Sequence, residues 1–477
     1  MRNPLYMLIG LGVTAASSAT ALGQCQESWI PTQLFGGFGS SSGGSVTTTW
    51  DPDGAGPQQP WIVVAGAGGI AGVASDRIAA WDGVQWRALG SGFASTVRAL
   101  HVHNGDLYAA GDFSTAGGVQ YVARWNGSTW APLGTNSQNG ANNSVYAMTT
   151  YNGNLVISGY FTIVGGTTSA ARVASWNGTT WSAFGAGMLG GVENLAVLGN
   201  DLYAGGVFTT LGGGTPAQRV ARWNGAAWSP MGDGFNTNVQ ALHVHNGELY
   251  AGGTFTSSGV NPVACIARWN GAAWQQVGDG FNTAVSTLAT YNGNLVAGGT
   301  FTSSGANTVQ RVAQFVGGAW STLGAGVSGS VADMVVGPNN ELVLVGSFSD
   351  AGGLECLGIA RYNGINFVGF GNALSNGVNA LTIFNGDLIA GGRFRSNGTI
   401  TTNRVARLVS SQWQPMGAGF GRAVNAFGTF NNQLWAGGEF FVGDGISNAN
   451  YIASWNGTSW QPATGINGIV NTFAVYN

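Results

Sequence analysis

A unit of roughly 46 residues, written nine times, constrains this chain more than any other feature. A large apolar residue precedes a turn at Trp81, Trp125, Trp176, Trp223, Trp269, Phe315, Tyr362, Leu408 and Trp455, at spacings of 44, 51, 47, 46, 46, 47, 46 and 47 residues. Five residues after each stands a second aromatic: Trp86, Trp130, Trp181, Trp228, Trp274, Trp320, Phe367, Trp413 and Trp460. A fixed period of this size means one supersecondary unit repeated, each copy burying a face on its neighbour. The even period favours one array over several ordinary domains.

Each copy divides into four apolar runs of strand length, a to d. In the fifth copy these are Val239 to His245, Leu249 to Phe255, Ile266 to Trp269, and a run from Trp274 that ends before Gly278. Asn246-Gly247 joins a to b, and Asn270-Gly271 lies between c and d. Asn-Gly favours a tight hairpin because a type I′ turn needs positive φ at both central residues. The unit is therefore a four-stranded antiparallel meander. The two aromatics flanking the c–d turn fall on the same face whether the loop has two or four residues, since strand side chains alternate. Fourteen of the 18 Trp occupy these two columns, so packing them against the adjacent copy is the expected drive for stacking. The Gly-Gly pair ending run b, as at Gly252-Gly253, suits close backbone approach or a bulge.

Composition agrees: 82 Gly, 23 Phe and only 7% charged residues suit a β-protein with many tight turns. All 16 basic residues are Arg, scattered along a chain of net charge −3, which argues against a nucleic-acid or anionic-membrane surface. No internal run reaches the length of a membrane span. At the start, Met1-Arg2-Asn3, an apolar run from Leu5 to Val13 and Ala21-Leu22-Gly23 read as a signal peptide over 1–23, leaving 24–477 as the repeat domain of a secreted or cell-surface protein. Cys25, Cys265 and Cys356 make no closed disulfide framework; the last two are expected to be isolated buried thiols.

Four-stranded repeats of this length with Gly-Gly and Trp signatures indicate a β-propeller. Leu-Tyr-Ala-Gly-Gly followed by Ala-Arg-Trp-Asn-Gly-x-x-Trp resembles the kelch repeat, and more closely the secreted kelch-like repeat proteins of bacteria, over about Trp61 to the C-terminus. The expectation is an all-β chain forming a single large propeller of about eight or nine four-stranded blades. Ser45 to Trp50 reads as an extra run a, Trp29 to Leu34 as an extra run d, and Ile469 to Tyr476 as one more run a. Nine blades closed by pairing one terminus, eight with a surplus unit, a truncated longer chain and two smaller propellers all remain open.

If the a–b and c–d hairpins share one face of the disc, the longer b–c and d–a connections share the other, which becomes the candidate ligand face. Its variable b–c loops are Ser114 to Tyr121, Thr162 to Arg172, Ser349 to Gly358, Arg395 to Arg404 and Val442 to Tyr451. His101/His103 and His243/His245 could pair as zinc ligands by alternation, but other copies place Tyr151, Tyr291, Phe384 and Phe430 where His103 and His245 sit, so packing is the better reading. Galactose oxidase also uses a kelch propeller, yet the neighbourhoods of Cys265 and Cys356 do not resemble its copper-site motif. Asp51-x-Asp53-Gly54 lacks the later acidic ligands of a calcium loop, and Asp233 and Asp279 occupy equivalent d–a turns. Asn126-Gly-Ser and Asn177-Gly-Thr coincide with turns.

Near-identical copies, such as Ala-Arg-Trp-Asn-Gly-Ala-Ala-Trp at 221–228 and 267–274, suit a multivalent scaffold better than an enzyme, which needs one asymmetric constellation. The expected function is therefore a secreted, non-enzymatic binding or adhesion scaffold for glycan or protein, working as a monomer without cofactor or metal. Neither catalytic nor ligand-binding residues are assigned. A structural cell-surface repeat protein and a carbohydrate-active or oxidase-type propeller are the alternatives.

Overall fold

The computed structural model describes residues 44–473 apart from 67–72, 74, 115–119, 135–138, 357, 371–377, 396–400, 410–411, 441–450, 464–465 and 467. The signal-peptide reading and the run from Trp29 to Leu34 lie outside the described residues, as does the loop from Val442 to Asn450.

The c–d turn fixes the register of every sheet. Trp269 pairs directly with Trp274 across a four-residue loop, which Asn270 closes by accepting hydrogen bonds on Oδ1 from Ala272 and Ala273 N at 2.9 Å each. Asn126 and Asn177 do the same in sheets 2 and 3, so both sequons are turn-forming amides. At the a–b hairpin, Asn246 and Gly247 have φ of 49° and 78°, as a type I′ turn requires. These turns fold each repeat into an antiparallel sheet in the order a-b-c-d. Nine such sheets stand among the described residues, together with four two-stranded ones and no helix.

Opposite the Gly-Gly pair, strand a carries a bulge: Val239 pairs with Gly253 and Ala241 with Gly252, leaving Gln240 unpaired. The first glycine of the pair makes room for the next sheet. A Cβ on Gly252 would stand 2.6 Å from Val285 Cγ1, and one on Gly205 equally close to Val239 Cγ1. The valine that begins strand a thus plugs the preceding sheet, and Val97, Val145, Val192, Val239, Val285, Val331 and Val424 are all fully buried.

The aromatic columns act between sheets as expected, and they add a polar latch. Trp274 Nε1 donates to Met231 O of the previous sheet at 3.3 Å. Trp130, Trp228, Trp320 and Trp460 donate to Leu89, Phe184, Val277 and Met416 O at 3.0 Å. A buried indole N–H seeks such a partner. Arg77, Arg172, Arg219, Arg311 and Arg404 stand just before strand c at positive φ, and each guanidinium bonds loop carbonyls, for example Arg77 Nη1 to Phe93 O at 2.8 Å. Cys265 takes this position in sheet 5 and is a buried free thiol, as is Cys356.

Strand a of each sheet lies beside strand a of the next, from Gly44–Trp50 in sheet 1 to Ser330–Val336 in sheet 7; there the neighbour is again strand a of sheet 1. Seven sheets therefore close a ring about an axial cavity, and the chain is an all-β propeller of four-stranded blades. Sheets 8 and 9 have the same build and pack on each other, through Val378–Phe384 and Val424–Phe430, outside that ring. The ring thus takes fewer blades than the repeat count implied.

The reason is visible at the seam. Where eight sheets carry a small residue to receive the next valine (Ala65, Ala110, Ser158, Gly205, Gly252, Gly298, Gly391, Gly437), sheet 7 carries Val345. Its partner position in sheet 1 is Gly44, paired with Gly66 as Val239 is with Gly253. Plug and socket are exchanged, so the face of sheet 7 fits sheet 1 and rejects a sheet that begins with valine. Val345 is buried in one cluster with Ile62, Val64, Trp81 and Trp86, into which Phe370 packs. Asp333 spans the same seam, accepting from Thr47 N of sheet 1 at 2.9 Å and from Thr287 Oγ1 of sheet 6 at 3.2 Å.

Candidate functional face and axial mouth

The a–b and c–d turns share one face of the ring, and the b–c and d–a connections the other. On the second face, four b–c loops fold into short hairpin flaps: Ile163–Val164 with Thr168–Ser169, Ser257–Ser258 with Asn261–Pro262, Ser303–Ser304 with Asn307–Thr308, and Asp350–Ala351 with Leu354–Glu355. Each is tethered to the incoming d–a loop. Asn236 Oδ1 accepts from Thr256 N at 2.9 Å and Ser257 N at 3.2 Å, while its Nδ2 donates to Thr256 Oγ1 at 2.8 Å. Asn142 and Asn282 repeat this, and Ser328 Oγ accepts from Ser349 and Asp350 N. The flaps are thus fixed platforms, with Val260 standing 95% exposed at one tip.

The bulge in strand a sits at the same end of the ring. A bulged residue has no opposite partner, so its side chain is released from sheet packing. Those of the seven ring sheets are Ser45, Arg98, Tyr146, Glu193, Gln240, Ser286 and Ala332, and all line the axial cavity of about 380 Å³. Arg98 pairs with Asp112 at 2.6 Å and lies 4.4 Å over the Tyr146 ring. Tyr146 packs on Tyr160 at 5.0 Å between centroids, and Tyr160 OH donates to Glu193 Oε1 at 2.9 Å. Burial pushes the Glu193 carboxyl above its usual range against the opposing pull of Tyr160 and Arg98, and burial followed by the Glu193 charge pushes Tyr160 up to about 12. Gln240 Oε1 is buried and accepts no hydrogen bond. Arg98 and Asp112 neutralise each other, so the mouth offers acceptors: Glu193, Gln240 and Ser286.

The histidines belong to the other end of strand a. His101 Nε2 and His103 Nδ1 each lie 2.9 Å from Thr150 Oγ1 of the next sheet, and His243 and His245 clasp Thr290 in the same way. Burial, then the neighbouring imidazole, holds His101 and His243 down to about 4, so both are neutral at physiological pH. They are inter-sheet packing groups. Asp53 closes a turn, accepting on Oδ2 from Gln58 N at 3.2 Å. Asp233 and Asp279 lie against Gly259 and Gly305 of the following flaps. Among the described residues, no three His, Cys, Asp or Glu side chains gather as a metal site would need.

The bulge residues were not singled out from sequence. Their signal was present: the second residue of run a varies widely, as in Arg98, Tyr146, Glu193 and Gln240, while the valine before it recurs in every sheet but the first. Only the ring shows that these seven residues meet.

Residues 312–473 match the family model described as the Rax2 C-terminal beta propeller domain. No curated protein matches the chain. Among solved structures, the extracellular domain of a one-component system from B. thetaiotaomicron is similar at 10% identity and TM-score 0.41, over 89% of this chain and 52% of that one. The present chain thus spans about half the length of that domain. The computationally designed Ika8 protein is similar at 16% identity and TM-score 0.41, over 78% and 98% of the two chains. The WD40 propeller domain of Doa1 is similar at 13% identity and TM-score 0.39, over 63% and 93%. The architecture itself rests on the closed ring of sheets: the chain is a β-propeller protein.

Proposed function

We propose that this is a secreted, kelch-like propeller that acts without catalysis, binding a glycan or protein ligand on its flap face, at or outside the cell surface. One observation carries the reading: six of the seven bulge side chains place polar groups around a cavity, on the face that also holds the tethered flaps. Pockets of this size with a few convergent polar groups are the usual form of a small-ligand site. The acceptors at the mouth suit hydroxyl or amine donors, which glycans and peptides both supply. The amino-terminal apolar run supports export, and the repeated Gly-Gly and Trp pattern supports the kelch-like assignment.

Screening the purified mature chain on glycan and peptide arrays, with and without calcium, tests this. Binding is expected that falls at least tenfold in a Glu193→Gln, Gln240→Ala double variant of unchanged thermal stability. Silence on both arrays, or retention unaffected by the double variant, counts against the mouth as the site. Turnover of an arrayed glycan would favour the enzyme reading.

A further inference from the structure

Sheets 8 and 9 pack as ring sheets do: a Cβ on Gly391 would stand 2.6 Å from Val424 Cγ1, the same plug in the same socket. The far side of sheet 9 is covered as well. A Cβ on Gly437 would meet Val470, one on Gly428 would stand 2.9 Å from Phe473, Val470 N donates to Gly438 O, and Asn425 Nδ2 donates to Asn471 Oδ1 at 3.1 Å. The covering segment reads Val470-Asn471-Thr472-Phe473, which aligns residue for residue with Val378-Asn379-Ala380-Leu381 at the start of strand a in sheet 8. Asn379 Nδ2 donates to Asn425 Oδ1 at 3.1 Å just as Asn425 does to Asn471.

Among the described residues, nothing backs strand a of sheet 8 in this way. Val378, Leu381 and Ile383 are 43%, 60% and 73% exposed, whereas Val285 and Leu288, at the positions of Val378 and Leu381 in the ring, are 0% and 8% exposed. Sheet 7 cannot supply the backing, because Val345 fills the socket that Val378 would enter. The surface that fits Val378 and Leu381 is the far side of sheet 9, where their counterparts Val470 and Phe473 now sit.

We propose that this chain assembles head to tail: the exposed face of sheet 8 in one copy docks on the far side of sheet 9 in another, displacing residues 470–473. The contact is heterologous, and it closes only if rotation about an axis returns to the start. Each copy adds two sheets, and propeller rings hold 4–8 blades, so two, three or four copies complete a ring of four, six or eight. While residues 470–473 are seated they act as a latch, and the latched chain is a monomer.

The test is sedimentation or light scattering of the purified chain over a concentration series, with Phe473→Ser to loosen the latch. Phe473→Ser is expected to lower the concentration of half-assembly at least tenfold and to give one closed mass of two to four chains. Adding Leu381→Arg, at an exposed position that does not serve the monomer's core, should return that variant to single-chain mass. A Phe473→Ser protein that stays monomeric at high concentration with an intact melting transition overturns the proposal. So does an assembly that grows past four chains without closing, or one indifferent to Leu381→Arg.

Discussion

Asp333 shows how much a single residue can depend on where the ring closes. Its equivalents in sheets 2, 3 and 5 are Ala99, Ala147 and Ala241, but its carboxylate faces the axial cavity and holds sheet 7 to sheets 1 and 6. Burial pushes its pKa up to about 6, against the opposing hydrogen bonds from Thr47 N, Met334 N and Thr287. An unfolded chain would titrate near 3.9. The folded state therefore binds the proton more tightly, so the contribution to stability is complete below about pH 4 and is lost as pH rises toward 6. The cavity admits some water to this side chain, which places the effect below the roughly 3 kcal/mol that two pKa units represent. Melting the wild type beside Asp333→Asn should show the wild type losing a few degrees relative to the variant between pH 4 and 7; parallel curves would refute the assignment. That this one copy carries a carboxylate in the column was visible in the sequence. Its partners were not, because Thr47 lies 286 residues away and adjoins Asp333 only through closure.

The elements divide in the same way. The long strands, the Asn-Gly turns, the parity of the two Trp columns and the grouping of the b–c and d–a connections on one face were all legible, because each follows from local alternation or from positive-φ turn chemistry. The flaps were not, since two-residue strands of Ser, Asn and Pro carry no periodicity. Their tether was equally hidden: Asn236 follows Phe235 in what reads as ordinary loop sequence. Replacing Asn236 by Ala removes three hydrogen bonds at an exposed site, so global stability should change by no more than about 1 kcal/mol. Locally the effect should be larger. Hydrogen exchange at the amides of Thr256 and Ser257 is expected to rise at least tenfold, while that of Ile266–Trp269 in the same sheet stays protected. Uniform acceleration across the sheet would mean that the tether supports the whole blade rather than its flap.

At the scale of the molecule, nine copies do not make a nine-blade ring, and the exchange of Val345 for Gly with Gly44 for Val says why. That exchange can be read in the sequence once the plug and socket are known, but period and turn spacing carry no trace of it: sheets 7 and 8 follow each other at 46 residues, an interval that recurs elsewhere in the chain. The two arrangements make opposite claims about leucine in one column. Leu288, 8% exposed, and Leu381, 60% exposed, occupy the same register position, opposite Ala297 and Ala390. In a continuous ring both would be core, and truncation of either would cost about 2–5 kcal/mol. With closure at sheet 7, Leu288→Ala should cost that much, while Leu381→Ala, measured at concentrations where the chain is monomeric, should cost less than about 1 kcal/mol. Denaturant unfolding of the two variants decides it. Equal losses would place a sheet against the face of sheet 8 and return the fold to one larger ring, whereas unequal losses locate the end of the ring at Val345.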